Sequence, residues 1–216
     1  MGCSSSTAFD DHKHESPSEK LQLSYFPQLP SAVERHTIHH VYDGDTLTVE
    51  NRVSVRLSGI DAPEIKGDEA YAKESRDYCR QLCPSGGTVL LGFSGKHERQ
   101  DGYGRLLAYV YVPHPSKNVY ICINIALLEV GLAHLYKVKR LEDGNKKAMC
   151  EAQNKARREK RNIWKKLNVN KTVLITRNGE AFHRVGGSCV NKAQKVTVKE
   201  ALDQLYAPCR TCKPLG

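Results

Sequence analysis

Three short stretches of this chain concentrate side chains that could do chemistry: Asp43-Gly44-Asp45-Thr46, Arg56-Leu57-Ser58-Gly59-Ile60-Asp61-Ala62-Pro63-Glu64 and Asp101-Gly102-Tyr103-Gly104-Arg105. Cleaving a phosphodiester with water needs a hard divalent cation, a group that takes or orients the water's proton, and fixed positive charge on the phosphate oxygens. Carboxylates and arginines supply all three. Asp45 and Asp61 are the candidate metal ligands, because hard cations such as calcium prefer oxygen donors, and a metal so held acts as a Lewis acid on phosphate. Glu64 follows Pro63, which fixes an extended or turn geometry, so its carboxylate can face the water and is the candidate base. Arg56 and Arg105 stay charged at any relevant pH and match phosphate oxygens with planar forks; they would stabilise the transition-state charge. Each piece alone has a plainer reading, since Asp-Gly-Asp is usually a turn between strands and Asp-Gly-Tyr-Gly suits a hairpin loop. The order and spacing of all three, each beside an alternating or apolar run, favours a metal-dependent phosphodiesterase.

The elements that must position these residues are readable in outline. From His36 to Asp61 the pattern alternates and predicts a curled meander of three strands. Glu69 to Leu82 is helical in composition, strands return at Thr88–Phe93 and Tyr103–Val112, and the apolar run Ile121–Val130 ending at Gly131 predicts a short helix with a glycine stop. A long helix near Asp143–Lys165 closes the unit. Five short strands with inserted helices predict an α+β fold, a five-stranded OB-fold β-barrel over residues 32–168. Cys79 and Cys83, one helical turn apart, could bind a metal or form a bond; buried thiols are the plainer reading.

With these residues in view, the sequence resembles the staphylococcal nuclease, or thermonuclease-like, family across roughly residues 33 to 167. The resemblance runs through Val41 to Thr46, Arg56 to Glu64, Tyr103 to Tyr111, Gly131-Leu132-Ala133 and Asn162-Ile163-Trp164. It implies a calcium-dependent endonuclease of DNA and RNA that leaves 3′-phosphates, with catalytic Arg56, Glu64 and Arg105 around calcium on Asp45, Asp61 and the backbone carbonyl of Ala62. It also implies that Tyr103 contacts substrate. The segment Ile65-Lys66-Gly67-Asp68-Glu69 is short where some members of that family carry a long lysine-rich loop. Some similar domains have lost catalytic residues and only bind; this chain keeps the whole set, so a binding module without cleavage is the alternative.

After Asn168 the pattern restarts: a strand at Val173–Thr176, a turn at Asn178-Gly179, Phe182-His183, a helix near Val198–Tyr206 and Cys209-Arg210-Thr211-Cys212. Cys-x-x-Cys lets two thiolates meet one tetrahedral zinc, and a hairpin could bring His183 and Cys189 to the other corners. So short a segment buries little core, and a metal would explain how it folds. A redox pair or idle thiols are the alternatives. The tail is similar to small zinc modules appended to nucleases of this family, which implies a structural role for residues 169–216 or a further nucleic-acid or partner contact; a recruitment protein with a vestigial nuclease is a third possibility.

The formal net charge of +9 favours an anionic partner such as nucleic acid or an acidic membrane. Much of it lies in residues 137–166, where twelve Lys or Arg face four acids, either a phosphate-tracking surface or a solvated face. Aromatic residues are few, so base stacking rests on tyrosines such as Tyr103 and selectivity should be low. Residues 1–31 are rich in Ser, charge and Pro and read as a flexible tether. Met1-Gly2-Cys3-Ser4-Ser5-Ser6 fits N-myristoylation at Gly2 with palmitoylation at Cys3, two chains that together anchor stably; a serine-rich leader is the alternative. The pattern resembles plant calcium-dependent nucleases of this family that are acylated at the plasma membrane. No apolar run is long enough to span a bilayer and none resembles a secretory signal. The expectation is a monomer on the cytoplasmic face of the membrane, or in the cytoplasm if not acylated, with its thiols reduced.

Overall fold

A computed structural model describes residues 23–30, 32–93, 99–141 and 144–215. Gly2 and Cys3, the candidate lipidation sites, lie outside the described residues. The described chain runs β1 (Tyr25–Phe26), β2 (Val33–Val41), β3 (Thr46–Val49), β4 (Ser54–Leu57), β5 (Ile60–Asp61), α1 (Ala72–Leu82), β6 (Thr88–Gly92), β7 (Leu106–Pro113), β8 (Tyr120–Cys122), α2 (Ile123–Glu129), β9 (His134–Leu135) and α3 (Asn145–Arg158). The tail adds β10 (Thr172–Ile175), β11 (Ala181–Arg184), β12 (Gln194–Thr197), α4 (Val198–Asp203) and β13 (Ala207–Pro208).

The alternating run does curl. β2 pairs with β6 through Val33–Thr37 and with β3 through Ile38–Val41, and a register shift between Ile38 and His40 marks the bend that lets one strand serve two neighbours. β3 pairs with β4, β4 lies parallel to β7, and β7 returns to β6, so the ring β2-β3-β4-β7-β6 closes into a small barrel. Closure removes open strand edges. The interior is filled by side chains such as Leu47, Val55, Leu57, Leu91 and Val110, and α2, buried at every residue, seals one end. Asn124, at the start of α2, accepts the Val110 N–H at 3.0 Å and donates to the carbonyls of Ser58 and Ala108 at 2.9 and 3.2 Å. That ties the helix to the turn between Arg56 and Asp61.

Three elements differ from their expectation for local reasons. The helix predicted from Glu69 starts at Ala72, because Asp68 and Tyr71 take left-handed backbone and the Glu69 carboxylate is spent on the Glu64 N–H. The run at Ile121 divides into β8 and α2. The long closing helix stops at Arg158: Lys160 and Asn162 have positive φ, and Asn162 Nδ2 reaches the Val130 carbonyl at 2.7 Å. Gly131 fits this junction because its φ is +70 and a Cβ would meet the Arg161 carbonyl at 2.7 Å. Cys79 and Cys83 are free and buried.

The stretch expected to be a tether contributes its last residues to the fold. Tyr25 and Phe26 pair with Ile121 and Tyr120, and the Ser24 N–H reaches both oxygens of Glu129 at 3.1 and 3.2 Å.

The tail forms a sheet in the order β12-β10-β11-β13, in which β12 had no signal in the sequence. Its own core of Val173, Ile175, Phe182, Val198, Ala201 and Leu202 also takes in Ala156 from the barrel's closing helix and Trp164 from the short turn that follows it. The short segment therefore buries more apolar surface than its length suggests, by borrowing from its neighbour.

Candidate active site

Asp45 stands at the start of β3 and Asp61 ends β5, on the same rim of the barrel. Both are buried, at 2% and 4% relative exposure, and Arg56 on β4 is buried with them at 5%. One Arg56 Nη lies 3.0 Å from Asp45 Oδ2 and 2.7 Å from Asp61 Oδ1, while the other donates to the Leu57 carbonyl at 3.1 Å. Asp45 Oδ2 also accepts the Ala62 N–H at 2.6 Å, and Asp45 Oδ1 accepts the Thr46 hydroxyl at 3.0 Å. The first two motifs are thus joined directly, backbone to carboxylate. The glycine of Asp43-Gly44-Asp45 has a packing reason: a Cβ there would lie 1.9 Å from Ser75 Oγ on α1. Ser75 is itself fixed by donating to the Leu132 carbonyl at 2.9 Å.

Glu64 is half-buried beside this pair. Its carboxyl is pushed above the usual carboxylate range, first by burial and then by Asp43, Asp45 and Asp61, against the pull of Arg210. Burial raises Asp61 as well, with His134 and Arg56 pulling back. Asp43 is raised by burial and by Asp45. Burial is the first cause of each rise, and four carboxylates stand against two arginines here, so hard oxygen donors with negative charge to spare suit a divalent cation. Asp45, Asp61 and the Ala62 carbonyl therefore fit the calcium expected from the sequence.

Arg105 does not join the carboxylates. Its Nε and one Nη each lie 2.7 Å from Asp101 Oδ2, and its backbone N–H bonds Asp101 Oδ1 at 3.0 Å. It faces a cleft of about 660 Å³ that Arg56 and Arg210, the two arginines paired with the carboxylates, line together with Tyr103, Tyr136 and Lys137. Tyr103 is 87% exposed at the lip, with the Arg105 guanidinium 5.4 Å from its ring centre.

Four neighbours of these residues had no assigned role in the sequence reading. Asp43 lies in the bend that precedes β3, whose backbone closes from the Tyr42 and Asp43 N–H groups to the Thr46 carbonyl. His134, whose Nε2 is 3.7 Å from Asp61 Oδ2, arrives because β9 pairs with β5. Arg210 and Lys213 come from the tail, about 150 residues further on, and no local pattern links them to Asp61 or Glu69.

The tail brings its four expected ligands together. One donor atom from each of His183, Cys189, Cys209 and Cys212 lies within 4.8 Å of the others, and His183 Nδ1 is 3.8 Å from Cys212 Sγ. The Arg184 N–H points at Cys212 Sγ at 3.3 Å. Against partial burial, the Cys212 and Thr211 N–H groups hold the Cys209 thiol below its ordinary value. Three sulfurs and an imidazole nitrogen at this spacing, with backbone donors on the sulfurs, could hold a soft tetrahedral metal ion.

Comparison with known proteins places these features. Residues 54–166 match the family described as "Staphylococcal nuclease homologue". The chain is 33% identical over 127 residues to an endonuclease of Escherichia coli O157:H7, covering 57% of this chain and 72% of that protein. It is 32% identical over 172 residues to an SPbeta prophage-derived endonuclease of Bacillus subtilis, covering 76% of this chain and 51% of that one. Against the thermonuclease of Staphylococcus hyicus it is 30% identical over 138 residues, 61% of this chain and 76% of the other.

Proposed function

The chain belongs to the staphylococcal nuclease family and is a nuclease acting on nucleic acid, and from that premise we propose that it is a calcium-dependent endonuclease that cleaves both DNA and RNA with low sequence selectivity and leaves 3′-phosphates. The observation that carries this reading is the Arg56 guanidinium, which lines the cleft with Arg105 and Tyr103 and bridges two buried carboxylates, Asp45 and Asp61, while Arg210 joins Glu64 to Asp61. Bound by Asp45, Asp61 and the Ala62 carbonyl, calcium would supply Lewis acidity toward the phosphate. Arg56 and Arg105 grip the phosphate oxygens from two sides of the cleft. Glu64 takes the proton of the attacking water; burial and its acidic neighbours raise its carboxyl above the usual carboxylate range, which makes it a better base than an ordinary one. Tyr103, at the lip, offers a ring on which any base can stack, which fits low selectivity.

Two further parts complete the proposal. Zinc occupies the His183, Cys189, Cys209 and Cys212 site. The Gly2 and Cys3 pattern supports attachment to the cytoplasmic face of the plasma membrane, which substitution of Gly2 by Ala would shift to the soluble fraction if correct.

The test is cleavage of plasmid and of RNA with calcium, magnesium or chelator, beside Glu64→Gln and Arg105→Ala. Calcium-dependent cutting lost in both variants is the expected result. Binding without cutting under every metal would leave only the binding module.

A further inference from the structure

Two basic side chains flanking Cys212 carry the tail onto the catalytic loop. Arg210 reaches Asp61 Oδ1 at 3.2 Å and hydrogen-bonds Glu64 Oε1. Lys213 holds Glu69 Oε1 at 2.7 Å. The other Glu69 oxygen accepts the Glu64 N–H at 3.0 Å. Glu64 is therefore gripped twice, once by its carboxylate and once through its backbone.

The loop's other holds are the Ile65 N–H on the Asp43 carboxylate and the Glu69 N–H on the Glu64 carbonyl at 3.3 Å. Beyond Ala62, the residues from Pro63 to Glu69 are half-buried or exposed, and a single short turn with a left-handed Asp68 is its regular structure. Arg210 and Lys213, by contrast, leave a tight turn that is pinned at several points. The Cys209 N–H bonds the Phe182 carbonyl and the Lys213 N–H the Cys209 carbonyl, each at 3.0 Å. Arg184 donates its backbone N–H to Cys212 Sγ at 3.3 Å and an Nη to the Lys213 carbonyl at 3.1 Å. Whatever draws His183, Cys189, Cys209 and Cys212 together sets the direction of both arms.

We propose that the metal-loaded Cys209–Lys213 turn is a clamp that positions the catalytic loop, so that this enzyme needs a soft, thiolate-held ion as well as its hard, carboxylate-held one. Arg210 and Lys213 are positioning residues. Both arms are partly exposed ion pairs, with Arg210 and Glu64 side chains 42% and 39% accessible, and such pairs add little to stability. A misplacement of about 1 Å at a reacting group, however, can cost on the order of a hundredfold in rate. The clamp should therefore register in kcat and in loop dynamics, not in melting temperature.

The kinetic half rests on the nuclease reading; the dynamic half does not. The experiment compares wild type, Arg210→Ala, Lys213→Ala, the double variant and Arg210→Lys for zinc content, for kcat and KM on single-stranded DNA in saturating calcium, and for amide hydrogen exchange of the 61–69 segment. Expected are full zinc content, a kcat fall of roughly 10–100-fold in the double variant with KM little changed, partial rescue by lysine, and faster exchange of 61–69. A chelator selective for zinc over calcium should reproduce the kinetic and exchange changes in wild type. If a variant loses its zinc, Glu69→Gln removes the second arm with every residue of the turn intact and must show the same faster exchange. Unchanged kcat and exchange in the double variant would overturn the clamp, and so would a rise in kcat, which would make Arg210 a plug. Should wild type not cut at all, the exchange result still decides.

Discussion

The rim of the barrel and the turn of the tail both gather candidate metal ligands, but they do so by opposite means. At the rim, Asp45 and Asp61 are buried and already tied together by Arg56, a protein cation that offsets part of their repulsion. The frame beneath them is a closed barrel with a large apolar core. In the tail the ligands are three thiols and an imidazole, half-buried, in a small sheet that shares its core with Ala156 and Trp164. The donor sets sort the ions, oxygen for hard calcium and sulfur with nitrogen for soft zinc. On the proposed reading the frames also sort the dependence: a rim built on a full core would stand without its ion, and a tail built on a borrowed one would lean on it.

The largest expected effect breaks that second half. Cys209→Ser should abolish zinc binding and leave residues 169–215 open to protease while the barrel survives as a resistant core. Structural zinc contributes on the order of 10 kcal/mol or more in small metal-dependent folds, well beyond what this sheet can replace. Removing calcium should leave the barrel's melting temperature within a few degrees of its loaded value. If chelating zinc instead melts barrel and tail together, the shared Trp164 has fused them into one unit and the contrast fails.

Next comes the chemistry of the rim. Glu64→Gln should lower kcat by roughly 10²–10⁴-fold, and Arg105→Ala by roughly 10²–10³-fold, each with the fold intact by circular dichroism. Phe182→Ala follows, at about 3–5 kcal/mol. Phe182 is fully buried in the tail, so its loss should lower the unfolding midpoint of the tail in denaturant and leave the barrel's transition in place.

The contrast also separates what the sequence made legible from what it did not. The rim was legible because Asp45, Arg56, Asp61 and Glu64 fall within twenty residues of one another, each in or beside a short strand. The four tail ligands were legible for the same reason, as a local spacing with a known geometric consequence. The join between the regions was not. Arg210 meets Asp61 and Glu64 only after α3 has stopped at Arg158 and the 160–164 segment has turned the chain back. That stop depends on Asn162 reaching Val130, a tertiary contact without a period. For the same reason nothing in the sequence showed that the tail, read there as a structural module or a further contact, is seated on the catalytic loop. β12 escaped notice because Gln194 to Thr197 alternates weakly and owes its strand to pairing with β10.

The smallest effect sharpens the claim that the rim holds surplus negative charge. Asp43, Asp61 and Glu64 all have carboxyls raised in the folded state, burial being the first cause of each. A raised acid binds more protons folded than unfolded, so its contribution to stability falls as pH rises through the window between its unfolded and folded values, and is regained as pH falls back through it. Glu64 is partly exposed, which discounts its share to under about 1 kcal/mol. Pairs such as Asp101 with Arg105, in which the Asp101 carboxyl is lowered, slope the other way, so total stability against pH is a poor measure. The useful quantity is the difference between Glu64→Gln and wild type in calcium-free buffer. At neutral pH the glutamine variant, free of one repelling charge, should be the more stable, and its advantage should shrink as pH falls and wild-type Glu64 takes up its proton. Added calcium should shrink it too, by binding the charge that the variant lacks. An advantage that stays constant with pH and with calcium would mean that Arg56 and Arg210 already balance the rim, and the argument for a hard cation would then rest on the identity of the donors alone.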